Sequence, residues 1–192
     1  MIPQGYNTLT TNVPWWLVVG ARNRWHIVNF VECGAGYGHT SAIASEMFQY
    51  VWAIELNSVV FEQQVPELLQ AQNVTRLQGN TLDILPDLCR EINQPTLWYL
   101  DSHYPGVGPR LSRECPLLEE LAILRIRGER LSSDIVVIDD YGLFERPPPP
   151  PNNPNEWPTA VQIRSALLVT GLITQVVGDV IFSTPGPLWG PI

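Results

Sequence analysis

Apolar, β-branched runs alternate with segments of helical character along most of this chain. The runs lie at 26–32, 51–56, 74–79, 96–101 and 134–140. Between them, 40–50, 58–72, 81–92 and 112–131 carry helical patterns. The last of these has an apolar stripe of Leu117, Leu118, Leu121, Leu124 and Ile126. Arg125, Arg127 and Arg130 stand near its end, where cations suit the helix dipole. Pro66 divides the segment 58–72, because a proline interrupts a helix interior. Near-continuous apolar runs suit strands covered on both faces by helices. The β-α-β-α order predicts an α/β domain with a doubly wound parallel sheet and ligands at the carboxyl ends of its strands.

The pattern changes after the fifth run. Pro147 to Pro151, followed by Asn152, Asn153 and Pro154, reads as a stiff, extended surface loop within 146–157. A helix is expected at 159–170. Two strand-like runs follow at 172–177 and 179–184, parted by Gly178, which predicts a closing antiparallel hairpin. Residues 1–192 therefore read as one domain with an N-terminal extension at 1–25. Trp15, Trp16 and Trp25 in that extension are expected in the core or in a homo-oligomer contact.

Composition narrows the function classes. Eleven basic residues against nineteen acidic ones give a net charge of −8, and every basic residue is arginine. An acidic chain without a basic cluster is a poor partner for a phosphate backbone, so no nucleic acid is expected. The absence of lysine excludes Schiff-base catalysis and a P-loop lysine. The run around Trp15 to Val19 is too short to span a bilayer, so no membrane association is expected. Cys33, Cys89 and Cys115 form no C-x-x-C pair and read as reduced thiols, which points to a cytoplasmic protein.

The first strand leads into V-E-C-G-A-G-Y-G-H-T, residues 31–40. Gly34, Gly36 and Gly38 allow a tight turn and close approach of a ligand to the backbone, with a helix N-terminus behind them. The second strand ends at Glu55-Leu56, where an acidic side chain can accept hydrogen bonds from both ribose hydroxyls. Together these features predict a nucleoside site. A dinucleotide turn, G-x-G-x-x-G, would need its third glycine where His39 stands, which disfavours a nicotinamide-dependent oxidoreductase.

E-C-G-A-G-Y-G resembles motif I of class I methyltransferases, and Glu55 matches their ribose-binding acid. Gln78-Gly79-Asn80-Thr81 resembles the turn near the adenine, with Asn80 where the family usually has aspartate. The resemblance spans residues 28–185. It implies a Rossmann-like, seven-stranded, mostly parallel sheet with a C-terminal antiparallel hairpin. It also implies S-adenosylmethionine as cofactor, bound by Glu32, Gly34, Ala35, Gly36, Tyr37, Gly38, Glu55, Leu56, Asn80, Thr81 and Asp101.

The fourth strand ends L-D-S-H-Y and the fifth I-D-D-Y. In a doubly wound sheet these ends are neighbours, so Asp101, Asp139 and Asp140 are expected to converge. Converging carboxylates repel unless a cation sits among them or some are protonated. Oxygen ligands suit Mg²⁺. His103, two residues past Asp101, is a suitable base for a hydroxyl proton. Tyr104, Tyr141, Phe144 and Trp157 flank these residues in sequence, either as an acceptor pocket or as packing. The arrangement resembles metal-dependent small-molecule O-methyltransferases, particularly the macrocin type. That resemblance implies Asp101, Asp139 and Asp140 as metal ligands, His103 as general base beside Asp101, and a small-molecule acceptor. Cys115-Pro116-Leu117-Leu118-Glu119-Glu120-Leu121 reads as core packing with an exposed acidic face. The rival reading keeps the fold without the chemistry, as a non-catalytic nucleoside-binding or assembly module.

Overall fold

A computed structural model describes residues 13–104, 113–146 and 148–188. Five parallel strands form its centre: β1 (Asn29–Cys33), β2 (Tyr50–Glu55), β3 (Val74–Gln78), β4 (Thr96–Leu100) and β5 (Ile135–Ile138). The hairpin strands β6 (Ile173–Val177) and β7 (Val180–Thr184) are antiparallel, and β7 inserts between β5 and β6. The order is β3-β2-β1-β4-β5-β7-β6, a seven-stranded sheet whose direction of winding reverses between β1 and β4. A crevice at the carboxyl ends of β1 and β4 follows from that reversal.

Every residue of β1, β4 and β5 is buried. Alternation along each strand sorts them between two cores. Val31, Cys33, Trp98, Leu100, Val136 and Ile138 face one side, where α5 (Thr81–Glu91), α6 (Leu117–Leu124) and α8 (Ala160–Leu168) pack. Phe30, Leu97, Tyr99, Ile135 and Val137 face the other, with α1 (Trp15–Trp25) and α2 (His39–Ser45). The same alternation carries Glu32 to the Tyr99 side, where the two are register partners.

The segment 58–72 divides as Pro66 requires, into α3 (Ser58–Glu62) and α4 (Pro66–Gln70), with Pro66 at the first helical position. The segment 112–131 departs from the expected single helix; Ser112 itself lies outside the described residues. Helix α6 gives way to a 3₁₀ stretch over Arg125–Ser133, and Gly128 breaks it at φ 59°. The expected stripe ends before Ile126, which is exposed. The arginines also act differently from the dipole expectation. Arg130 donates to the carbonyls of Cys89 and Ile92 at the end of α5, at 3.0 and 2.9 Å. Arg127 turns inward to Asp134.

Helix α1 carries apolar residues on all sides, so it shows no amphipathic period in the sequence. Trp15 is in the core, whereas Trp16 is 55% exposed. The proline-rich segment, whose Pro147 lies outside the described residues, is not an extended strap. Residues 150–152 turn, and Pro154–Glu156 form a short 3₁₀ helix that returns Trp157 to the core. A short helix, α7 (Gly142–Glu145), follows β5.

Candidate active site

The glycine turn joins β1 to α2, and each of its glycines has a positive φ: 85° at Gly34, 53° at Gly36 and 83° at Gly38. The amides of Gly34 and Ala35 donate to the Ile54 carbonyl at 3.0 and 2.8 Å, which docks the turn on β2. Above Gly36 a Cβ would meet nothing within 4 Å, so the turn presents bare backbone to open space there. Glu55, at the end of β2, accepts from the Gly36 amide at 2.8 Å and from the Asn57 amide at 2.6 Å. Each carboxylate oxygen keeps a further lone pair for a hydroxyl. Leu56 is half-buried beside it, and Tyr37 is 51% exposed at the tip of the turn.

Glu32 has a different setting from the other turn residues. It is buried beneath the turn and accepts from the Ser41 hydroxyl of α2. Burial pushes its carboxyl up to about 8, only partly offset by Ser41 and Thr40. Asn80 caps α5 by accepting from the Leu82 amide at 3.0 Å. Asparagine does this as well as aspartate, which accounts for the residue found at this position. Thr81 is buried at the first position of that helix.

The strand ends on the other side of the crevice hold the acidic cluster. Asp101 and Asp139 continue the alternation of β4 and β5 onto the Tyr99 side. There Asp139 accepts from the Tyr99 hydroxyl and from the Asp140 amide. Asp140 adopts a left-handed conformation, φ 55°. Such backbone is uncommon outside glycine and persists where surrounding contacts impose it. It turns the Asp140 carboxylate toward His103, whose Nε2 lies 3.1 Å from Asp140 Oδ2. The other ring nitrogen, Nδ1, lies 3.4 Å from Asp101 Oδ1.

Asp101, His103 and Asp140 thus bring one ligand atom each within 4.8 Å of one another. The ligand set expected from the resemblance is Asp101, Asp139 and Asp140. The structure brings Asp101 and Asp140 together with His103, and Asp139 points to Tyr99. Burial holds the Asp101 carboxyl well above its usual range, although His103 opposes this; burial likewise raises Asp139. Burial acts against a charged His103, yet its hydrogen bond to Asp140 and the surrounding carboxylates raise it overall.

Three residues beyond the sequence reading support this site. Glu120, expected on an exposed face, is 1% exposed and accepts from the Ser102 hydroxyl at 2.5 Å. Burial raises its carboxyl, which Ser102 and Thr81 oppose. Its position was legible from spacing: with Leu117, Leu121 and Leu124 facing inward, residue 120 falls on the same helix face. It lines a small pocket with Ser102, His103, Cys115 and Phe144, with room for about one water molecule. Glu114 is buried and accepts from the Trp157 indole N–H at 2.8 Å. Asp179, at the tip of the hairpin, accepts from the Tyr141 amide through its backbone carbonyl at 2.8 Å and from the Gly142 amide through its carboxylate at 2.6 Å. Isolated acidic residues give no sequence signal for roles of this kind. Phe144, Trp157 and Tyr141 are all buried, and Tyr141 donates its hydroxyl to Glu145.

No protein-family model matches the sequence, and no curated protein does. Solved structures do match. The O-methyltransferase TomG from Streptomyces achromogenes, involved in tomaymycin synthesis and in complex with SAM, has a TM-score of 0.58 at 18% identity. The match covers 92% of this chain and 82% of TomG. The SAH-bound methyltransferase PaMTH1 from Podospora anserina has a TM-score of 0.55 at 14% identity, covering 88% of this chain and 76% of its own. The calicheamicin methyltransferase CalS11 has a TM-score of 0.55 at 12% identity, covering 90% and 78%.

The chain has the class I methyltransferase fold.

Within that methyltransferase fold, the glycine turn and the acidic cluster lie on either side of the β1/β4 reversal. All three cysteines are free and buried. Among the described residues, no helix is long and apolar enough to cross a membrane.

Proposed function

We propose that this protein is an S-adenosylmethionine-dependent methyltransferase that acts on a hydroxyl of a small molecule with the help of a divalent cation. The observation that carries the reading is the Asp101–His103–Asp140 set, placed across the strand reversal from a glycine turn with open space above Gly36. The matched TomG structure holds SAM and the matched PaMTH1 structure holds SAH, which supports the same donor here.

The residues present fit both groups. Gly36 offers bare backbone to a nucleoside, and Glu55 has lone pairs left for ribose hydroxyls. S-adenosylmethionine supplies the electrophilic methyl group. Two carboxylates and an imidazole form a mixed oxygen–nitrogen set, which suits Mn²⁺ or Mg²⁺ at a site completed by water. A divalent ion held there supplies Lewis acidity toward an acceptor hydroxyl.

The chain's own residues perform the remaining work. Asp101 and Asp140 fix the imidazole from both sides and raise its basicity. An imidazole whose lone pair holds a cation cannot also take a proton, so the second carboxylate oxygen of Asp101 takes the hydroxyl proton as the oxygen–methyl bond forms and the methyl–sulfur bond breaks. Asp139, tied to Tyr99 and to the Asp140 amide, holds the turn that aims Asp140. Positioning the two reactants supplies most of the acceleration in such a transfer.

Calorimetric titration with S-adenosylhomocysteine, with and without Mg²⁺ and with NADH as control, tests the reading. Binding of the homocysteine product and not NADH is the expected result. Absence of binding would overturn the enzyme assignment and leave a fold without this chemistry.

A further inference from the structure

His103 stands in the stretch 101–104 after β4, which forms neither helix nor strand, and two other segments hold it. The Tyr104 amide, next to His103, donates to the Glu114 carbonyl at 2.7 Å. The Glu114 carboxylate then reaches to the proline-rich segment. Its Oε2 accepts from the Trp157 indole at 2.8 Å and from the Asn153 amide at 2.8 Å. Glu156 returns the contact, accepting from the Glu114 amide at 3.0 Å and from Asn153 Nδ2 at 3.0 Å. Glu114 therefore ties the His103 loop to residues 153–157 through its backbone and its side chain at once.

The result of this knot is the placement of one ring. Trp157 lies with its centroid 5.2 Å from that of His103, tilted by 54°. Phe144, at 6.1 Å, backs the indole from behind. The imidazole has carboxylates at its two nitrogens and an indole against its ring, which leaves few alternative rotamers. An indole N–H usually finds an acceptor when buried, so the Glu114 carboxylate fixes the ring's orientation as well as its depth.

We propose that Trp157 and Glu114 are positioning residues, which hold the His103 imidazole in register with Asp101 and Asp140. The proposal rests on the cation-assisted reading above. Metal-binding imidazoles depend on their outer partners in this way, and loss of such a partner weakens affinity by roughly 10–100-fold.

The test uses the full chain and Mn²⁺ alone, titrated by electron paramagnetic resonance, with S-adenosylhomocysteine affinity measured in parallel. Trp157→Leu removes the ring and is expected to weaken Mn²⁺ binding about tenfold or more. Trp157→Phe keeps a ring and loses the N–H, and is expected to fall between Trp157→Leu and the wild type. Glu114→Gln keeps an acceptor for the indole and is expected to restore most of the affinity lost in Glu114→Ala. Product affinity should stay within about twofold throughout, since a general loss of structure would weaken both sites. Wild-type Mn²⁺ affinity in Trp157→Leu would overturn the proposal; if that variant does not fold, the same affinity in both Trp157→Phe and Glu114→Ala would do so.

Absence of Mn²⁺ binding in the wild type would instead overturn the cation reading. The positioning role is then read from the imidazole ¹⁵N signals of the metal-free protein, with His103→Gln identifying His103 among the three histidines. Displaced His103 signals in Trp157→Phe, with those of His39 unmoved, support the proposal; unmoved His103 signals overturn it.

Discussion

A side chain on Gly34 would place its Cβ 2.2 Å from the backbone oxygen of Asp101. The glycine turn is thus packed directly on the strand end that carries the acidic cluster, and the two halves of the crevice share one contact. Gly34→Ala adds this clash to the strain of φ 85° and should cost at least about 3 kcal/mol. It should weaken both S-adenosylhomocysteine and Mn²⁺ binding. Gly36→Ala meets no neighbouring atom, so it should cost only about 1–2 kcal/mol for its left-handed backbone. Its methyl projects into the open space assigned to the nucleoside, so product binding should fall while Mn²⁺ binding persists. Urea unfolding and the two titrations together separate these outcomes.

Asp179 braces the strained turn of Asp140 from the hairpin tip, its backbone carbonyl accepting from the Tyr141 amide and its carboxylate from the Gly142 amide. Its side chain is exposed, so Asp179→Ala should leave the fold intact, at a cost of about 1 kcal/mol. The variant loses the carboxylate half of the brace and keeps the carbonyl half, so the Asp140 carboxylate should loosen against His103 and Mn²⁺ binding should weaken by up to about tenfold. Asp179→Asn keeps the acceptor oxygen and should recover most of that loss. Equal Mn²⁺ affinities in the alanine variant and the wild type would show that the turn holds without Asp179.

The sheet was legible because its signals are local. Continuous apolar runs mark β1, β4 and β5, the break at Gly178 marks the hairpin, and three glycines mark the turn. The cluster was legible in part, since Asp101 and Asp140 end neighbouring strands. Alternation alone puts Asp139 on the Tyr99 side, but the left-handed backbone of Asp140 decides which carboxylate faces His103, and that depends on contacts distant in sequence. Glu114 and Trp157 are 43 residues apart, and a carboxylate–indole bond leaves no pattern in either neighbourhood. Helix α1 stayed hidden because its apolar residues 15–19 run consecutively and its polar residues 22–24 follow as a block, which leaves no period to read. The end of α6 stayed hidden because Arg127 is drawn inward by the carbonyls of Ile92 and Gln94, 35 and 33 residues away, as well as by Asp134.

That Arg127–Asp134 pair supports the fold from the end of the sheet opposite the site. Both side chains are fully buried, with Arg127 Nε 2.7 Å from Asp134 Oδ2. Asp134 also accepts from the Thr96 amide at 2.9 Å and the Trp98 indole at 3.0 Å, so the ion pair joins β4 to the start of β5. Removing one partner strands a buried charge, and Arg127→Met should cost about 3–5 kcal/mol. The folded fraction should still bind S-adenosylhomocysteine with wild-type affinity, because no residue of the turn touches this cluster. A loss confined to affinity, without a lower urea midpoint, would contradict the structural role.

Glu32 makes stability depend on pH in the direction opposite to an ordinary salt-bridged carboxylate. Its folded-state value, about 8, lies above the 4.5 of an exposed glutamate, and burial is the main cause. Between those values the folded chain keeps a proton that the unfolded chain has released. Stability from this group is therefore complete below pH 4.5 and falls as pH rises, by up to about 1.4 kcal/mol per unit. The slope ends near pH 8, where the folded carboxyl ionises as well. Glu32→Gln is neutral at every pH and keeps an oxygen for the Ser41 hydroxyl, so it removes this slope and little else. Asp101, Asp139 and Glu120 are shifted the same way and remain in both proteins, so the difference between variant and wild type isolates Glu32. Urea unfolding from pH 4 to 9 should show the two proteins equal at the acid end, with the variant increasingly more stable toward pH 8. Parallel curves across that range would mean that Glu32 is ionised beneath the turn, with its charge balanced by partners other than Ser41.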